Sequence, residues 1–208
     1  MLDGILDAAF LQAAGRAGKG GLNPLDQVIT FLFDLDESKS NLMRIAKAEF
    51  TSDLTITRYL DGVLTVDTVL VKDSGDDITF SVDNGSVVEI RGAITSITFT
   101  GPGASNVHEL DVSSCNTLRS IFGYFESLTM LKIGDNLGLT EATFGECEKL
   151  KTIYYPAINQ NVAEALVTAI SYAPANGTLY TDANGAYYST LEAAAQANNW
   201  TIVTSNND

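Results

Sequence analysis

Residues 107–158, VHELDVSSCNTLRSIFGYFESLTMLKIGDNLGLTEATFGECEKLKTIYYPAI, carry the pattern on which the reading of this chain turns. A frame L-x-x-L-x-Φ recurs at Val107-Leu110-Val112, Leu118-Ile121-Gly123, Leu128-Leu131-Ile133, Leu139-Ala142-Phe144 and Leu150-Ile153-Tyr155. Its starting points lie 11, 10, 11 and 11 residues apart. Ile94-Ile97-Phe99 reads as an earlier copy offset by 13 residues, with Gly101-Pro-Gly103 absorbing the excess. A unit this short cannot bury its apolar row alone, so a fixed period predicts units that stack, a solenoid.

Within the frame the second, third and fifth positions face solvent. One side then stacks His108/Thr129/Lys151, Glu109/Met130/Thr152 and Asp111/Lys132/Tyr154, and the other carries Arg119, Ser120, Phe122, Thr140, Glu141 and Thr143. Asp111 and Lys132 should be cross-strand neighbours, an exposed pair contributing at most about 1 kcal/mol. Cys115 and Cys147 share one phase but stand three half-units apart, which places them on opposite sides of a two-sided coil, beyond disulfide reach. Two free thiols are expected.

Upstream, residues 63–106 alternate apolar and polar positions, with Leu64, Val66, Val69 and Val71, then Ile78, Phe80 and Val82, then Val87, Val88 and Ile90 after the turn Asp83-Asn-Gly85. This is a β unit leading into the repeats. Residues 22–62 read as a mixed anchoring region. There Val28–Leu35 fits either a strand or a buried helix, and Ser40–Phe50 reads as a short helix. In residues 1–21, Leu2, Ile5, Leu6, Ala9, Phe10 and Ala13 recur at the spacing of one helical face. That helix of about three to four turns stops at Gly15-Arg-Ala-Gly-Lys-Gly-Gly21, whose glycines form a hinge. The arm either packs back on its own domain or docks on a neighbouring subunit. Residues 159–208 supply a terminal cap: a helix marked by Val162, Leu166, Ala169 and Ile170 and ended by Pro174, a second helix over Leu191–Ala197, and a last strand Trp200-Thr-Ile-Val203.

The repeat frame resembles the leucine-rich repeat, whose ninth position is Asn or Cys. Cys115, Asn136 and Cys147 occupy that position, whereas Glu126 and Ile158 depart from it. The likeness is strongest to the irregular class with units of about 21 residues found in surface proteins of Bacteroides-type bacteria and in the phages that infect them; Glu109-Leu-Asp-Val-Ser-Ser-Cys115 carries it. Val88–Ile97 is similar to the segment leading into such arrays, and Asn176–Thr181 with Leu191–Ala197 and Asn199–Val203 to their terminal unit. The resemblance spans roughly residues 87–203 and implies an α+β fold: a short leucine-rich-repeat-like β solenoid with a helical N-terminal arm and an α/β C-terminal cap.

The charge balance narrows the partners. The chain has 208 residues and a net charge of −14, with 12 basic and 26 acidic side chains, and no Lys or Arg follows Pro156. Such a surface repels nucleic acid and anionic membranes. No stretch is long and apolar enough to span a bilayer, and Asp3 and Asp7 stand where a secretory leader would carry Lys or Arg, so synthesis in the host cytoplasm is expected.

Chemistry-bearing motifs are sparse. The glycine hinge follows a helix and Lys19 precedes Gly20, unlike a phosphate loop. Adjacent outward positions on one strand do not assemble Ser113, His108 and Asp111 into a triad. Asp73-Ser-Gly-Asp-Asp77 lacks the spaced ligands of a calcium loop and reads as a solvated turn, although a bound calcium there stays open. No catalytic residue, cofactor or metal is therefore expected. Candidate surface contacts are Phe122, Tyr124, Phe125, Lys132 and Tyr154, joined by Tyr187 and Tyr188, the alternative being that some of these are core or cap residues. Taken with the resemblance, the residues predict a non-enzymatic structural or interaction protein of a phage virion, such as a head or tail fibre or decoration protein. It would be anchored by Leu2–Ala13 and belong to a homo-oligomer or larger assembly with other virion proteins. The alternative is a bacterial cell-surface adhesin or host-interaction module.

Overall fold

Val28-Ile-Thr-Phe-Leu-Phe33, open between strand and buried helix on sequence, is a strand (β1, Val28–Phe33) in the computed structural model, which describes residues 27–33, 42–51, 53–70, 78–100, 103–134 and 138–205. It is buried on both faces because it lies near the middle of a sheet, hydrogen-bonded antiparallel to β6 (Val87–Arg91) on one side and to β8 (Val107–Asp111) on the other. Beyond β6 the sheet continues through β3 (Leu54–Leu60) to β4 (Val63–Leu70), a hairpin closed at Asp61-Gly62, both residues with positive φ, as a two-residue hairpin turn requires. Beyond β8 it continues in parallel through β10 (Met130–Lys132), β12 (Thr152–Tyr154), β13 (Thr178–Asp182) and β14 (Thr201–Ser205), giving nine strands.

A second sheet has five strands. Its order is β11 (Glu141–Gly145), β9 (Ser120–Tyr124), β7 (Ile94–Thr100), β2 (Leu42–Phe50) and β5 (Ile78–Ser81), parallel among the first three and antiparallel among the rest. Fourteen strands thus stand against two α-helices among the described residues, α1 (Gln160–Tyr172) and α2 (Tyr188–Ala197). The expected α+β solenoid on a helical arm is overturned: the fold is mostly β, built from two large mixed sheets, with no solenoid. The physical reason lies in the N-terminal half. The strands before Val107 do not hand over to a self-contained stack: β1 pairs antiparallel with β8, and β7, itself joined antiparallel to β2, pairs parallel with β9, so each sheet runs on from the N-terminal strands into the repeat strands.

Leu42–Phe50, within the stretch expected to form a short helix, is likewise a strand. Met43 and Ile45 are buried while Leu42 and Arg44 are exposed, the alternation of a pleated strand. That alternation is lost further along because the pairing with β7 slips between Ala46 and Glu49 and again at Phe50. A bulge shifts side chains off the period of two, and the crowded apolar positions then mimic a helical face. The arm over residues 1–21 and the acidic turn Asp73–Asp77 lie outside the described residues.

One core joins the sheets. Phe31 of β1 meets Phe99 of β7 edge to face at 5.1 Å, Phe99 meets Phe125 at 5.6 Å, and Phe125 meets Phe144 at 6.5 Å. α1 packs on the edge strand β11 and buries Val162, Ala163, Leu166, Ala169 and Ile170. Its first turn is capped by the Asn159 side chain, which accepts from the Val162 amide, and Pro174 stops it from continuing. Asn159 is fixed in turn by the buried Tyr155, whose hydroxyl accepts from the Asn159 amide at 2.7 Å and donates to its carbonyl at 3.1 Å.

Candidate functional site

β9 alternates Ile121 and Gly123 inward with Phe122 and Tyr124 outward. Parallel pairing sets Thr98 of β7 and Thr143 of β11 beside Phe122, and Gly145 beside Tyr124. The result is an aromatic rib between two threonine-bearing strands. A groove of about 360 Å³ runs along it, lined by Thr98, Thr100, Phe122, Tyr124 and Thr143 and walled by Ala104 and Ser105 of a 3-10 turn. Tyr124 is 60% exposed. Its ring leans over Gly145 and occupies the space of the absent Cβ, which would lie 2.5 Å from Cδ1, so the phenol lies across its neighbour and presents a face to solvent. The Thr100 hydroxyl oxygen, shielded from water, has no hydrogen-bond partner among the described residues.

The expected contact residues do not form one patch. Phe122 and Tyr124 line the groove. Phe125 is fully buried, its ring filling the inward space above Gly123, where a Cβ would come within 2.3 Å of it. The frame ended the strand row at Gly123, but continued alternation carries the next inward position to Phe125. Lys132 and Tyr154 belong to the other sheet. There Asp111, Lys132, Tyr154, Tyr180 and Val203 follow one another in register, with Lys132 Nζ 3.3 Å from Asp111 and Tyr154 stacked on Tyr180 at 4.4 Å. Tyr187 and Tyr188 pack partly against the core. Thr98, Thr100 and Tyr180 were missed on sequence. The register that pairs residue 122 with 143 extends by simple addition to Gly145 opposite Tyr124.

Ser113, His108 and Asp111 are committed to the fold. Asp111 Oδ1 accepts from the Ser113 amide at 2.8 Å and its hydroxyl at 2.5 Å, tying the turn after β8. His108 Nε2 lies 3.2 Å from the Thr129 hydroxyl. Cys115 and Cys147 are free and buried. Burial pushes the Cys115 thiol up to about 11, against bonds from Thr117 and nearby backbone that lower it, and the Cys147 thiol up to about 12.

These thiols predict an alkaline instability. A thiol whose folded pKa exceeds its unfolded value stabilises fully below the unfolded value, 9.0, and loses that contribution as pH rises through the folded one. Tyr155, pushed up to about 12 mainly by burial, acts in the same direction. Urea midpoints should therefore hold up to pH 9 and fall steadily between pH 9 and 11, less so when both cysteines are alanine, relative to that variant's own midpoint at pH 8. Native protein should resist alkylation at pH 8 and take up two equivalents in urea; equal labelling in both states would contradict the burial.

No described helix is long and apolar enough to cross a membrane. Compared with protein-family models, curated proteins and solved structures, the chain matches none.

Proposed function

We propose that this chain is a non-enzymatic interaction protein, a phage virion component of the head or tail fibre or decoration type, that presents flat β faces outward. The observation that carries the interaction reading is the placement of outward aromatic rings on both sheets, half-buried Phe122 with exposed Tyr124 on one and half-buried Tyr154 with exposed Tyr180 on the other, each held by regular strand register. A monomer gains nothing from exposing such rings, and aromatic residues on rigid strands are effective contact anchors. The virion assignment rests on the repeat resemblance and on the amphipathic pattern of Leu2–Ala13 followed by its glycine hinge.

Deleting residues 1–21 is the direct test. The truncated chain should keep the circular dichroism spectrum and melting temperature of the full chain while losing incorporation into particles or its oligomeric state. Incorporation at the full-length level would refute the anchoring role. The same resemblance supports a second reading, a bacterial cell-surface adhesin, for which a secretion signal or lipobox encoded upstream of Met1 would decide.

A further inference from the structure

We propose that the groove along Phe122 and Tyr124 binds a neutral saccharide chain, with one sugar ring stacked on the exposed face of Tyr124. This deepens the interaction reading above and rests on it.

Four observations converge. First, the Tyr124 ring is a prepared platform: it is held by the fold in the space left by Gly145, yet 60% exposed. A ring already fixed in place loses little entropy on binding. Second, hydroxyl-bearing residues border the aromatic rib on three sides, Thr98 on β7, Thr143 on β11 and Ser105 on the 3-10 turn. A hydroxyl both donates and accepts, which suits a ligand whose own polar groups are hydroxyls. Third, the Thr100 oxygen has no partner among the described residues, and an unmade bond at a shielded polar group is costly; only a χ1 turn that brings the Thr100 hydroxyl into the groove would let a ligand hydroxyl make that bond. Fourth, among the described residues no charged side chain lines the groove, although the chain carries a net charge of −14. An anionic ligand would meet long-range repulsion, and a cationic one would find no carboxylate in the groove. Pyranose rings combine what remains: apolar C–H faces for the ring of Tyr124 and equatorial hydroxyls for its threonine borders. The volume, about 360 Å³, lies at the small end of ligand pockets, which suits a short segment of chain entering through an open groove.

The test uses the full-length protein in affinity electrophoresis through gels containing mannan, dextran, galactan or soluble glycol chitin, followed by saturation-transfer NMR with the oligosaccharide of any retarding polymer. Wild type should be retarded by at least one of the four. Tyr124→Ala should weaken binding about tenfold or more, the size of loss typical of an aromatic anchor, whereas Tyr124→Phe should stay within about threefold because the stacking face is kept. Gly145→Ala, which retains the tyrosine but displaces its ring, should also weaken binding. Glu164→Gln, exposed on α1 and outside the groove lining, should leave it unchanged. Retardation by none of the four polymers, or equal retardation of wild type and Tyr124→Ala, overturns the proposal. If no saccharide binds but Tyr124→Ala abolishes attachment to a protein partner, the groove is a protein contact; the interaction reading then survives and the saccharide inference does not. Failure of the arm deletion to affect assembly would bear on the anchoring role alone.

Discussion

Replacing Phe125 with alanine should cost about 3–5 kcal/mol of stability, the usual range for emptying a core aromatic site. Phe125 follows the last residue of β9 and is fully buried. Its ring lies between Phe99 at 5.6 Å and Phe144 at 6.5 Å, in the line of rings that begins with Phe31 on the opposite sheet. Alanine would leave a cavity that β-sheet backbone on both sides cannot collapse into. A specific coupling follows from Gly123. In the native protein a methyl group at Gly123 would sit 2.3 Å from Phe125 Cζ, so Gly123→Ala alone should cost about 1–3 kcal/mol through overpacking. In the Phe125→Ala background the same methyl enters vacated space, and the second substitution should be close to neutral. Urea unfolding of the four proteins measures this cycle, and an interaction of at least about 1 kcal/mol is expected. Were Phe125 a surface contact, as its sequence neighbours suggest, Phe125→Ala would change stability by less than about 0.5 kcal/mol and no coupling would appear.

The same pair shows what the sequence could and could not disclose. Local register was legible: the spacing of Glu109, Met130 and Thr152, and of Asp111, Lys132 and Tyr154, matches the observed cross-strand pairs, because in-register parallel strands repeat the length of the connection between them. The helix from Gln160 was legible from its apolar face and from Pro174. What failed was non-local. Nothing in Val28–Phe33 encodes that it pairs with β6 and β8, since backbone hydrogen bonds carry no side-chain signature, and on that pairing depends whether the repeats end in a cap or merge into a mixed sheet. Asp61-Gly62 was a readable hairpin signal, and it argues against a boundary there. β2 was lost to a bulge, a departure that appears only when the partner strand is known.

The candidate groove divides in the same way. Phe122 and Tyr124 stand on one strand at a spacing of two, so their common outward face was readable from alternation. Thr98 and Thr100 reach them from a strand far earlier in the chain, across a connection whose length breaks the repeat step. A rim assembled from different strands becomes visible only through their pairing.

Trp200→Ala is expected to be the other large loss, about 3–5 kcal/mol for the unit in which it sits. Trp200 is 5% exposed, and its indole nitrogen donates to the Pro174 carbonyl at 3.0 Å. The ring covers Gly177, where a Cβ would lie 2.3 Å from Cε2. Beside it the Asn198 side chain donates to the Ile170 and Ala173 carbonyls at 2.8 and 3.0 Å, closing the end of α1. Trp200 thus locks three features together: the exit of α1, the start of β13 and the start of β14, the outermost strand of its sheet. Removing it takes away both the packed ring and the donor that satisfies Pro174. Trp200→Phe, which loses the donor and part of the area, should cost less, about 1–3 kcal/mol. Because β14 pairs on one side only, the loss should fall first on β13, β14 and α2, and amide exchange in those elements should accelerate more than in β1, which is paired on both sides. Trp200 is also the chain's single tryptophan, so in the wild-type protein its fluorescence reports this unit while far-ultraviolet circular dichroism reports all fourteen strands. Coincident urea transitions by the two probes would show that the C-terminal unit unfolds with the shared core, in which case Trp200→Ala should shift the dichroism midpoint as strongly as Phe125→Ala does. A fluorescence midpoint at lower urea would mean that the unit detaches first, and Trp200→Ala would then leave the dichroism midpoint of the remaining sheet nearly where it was.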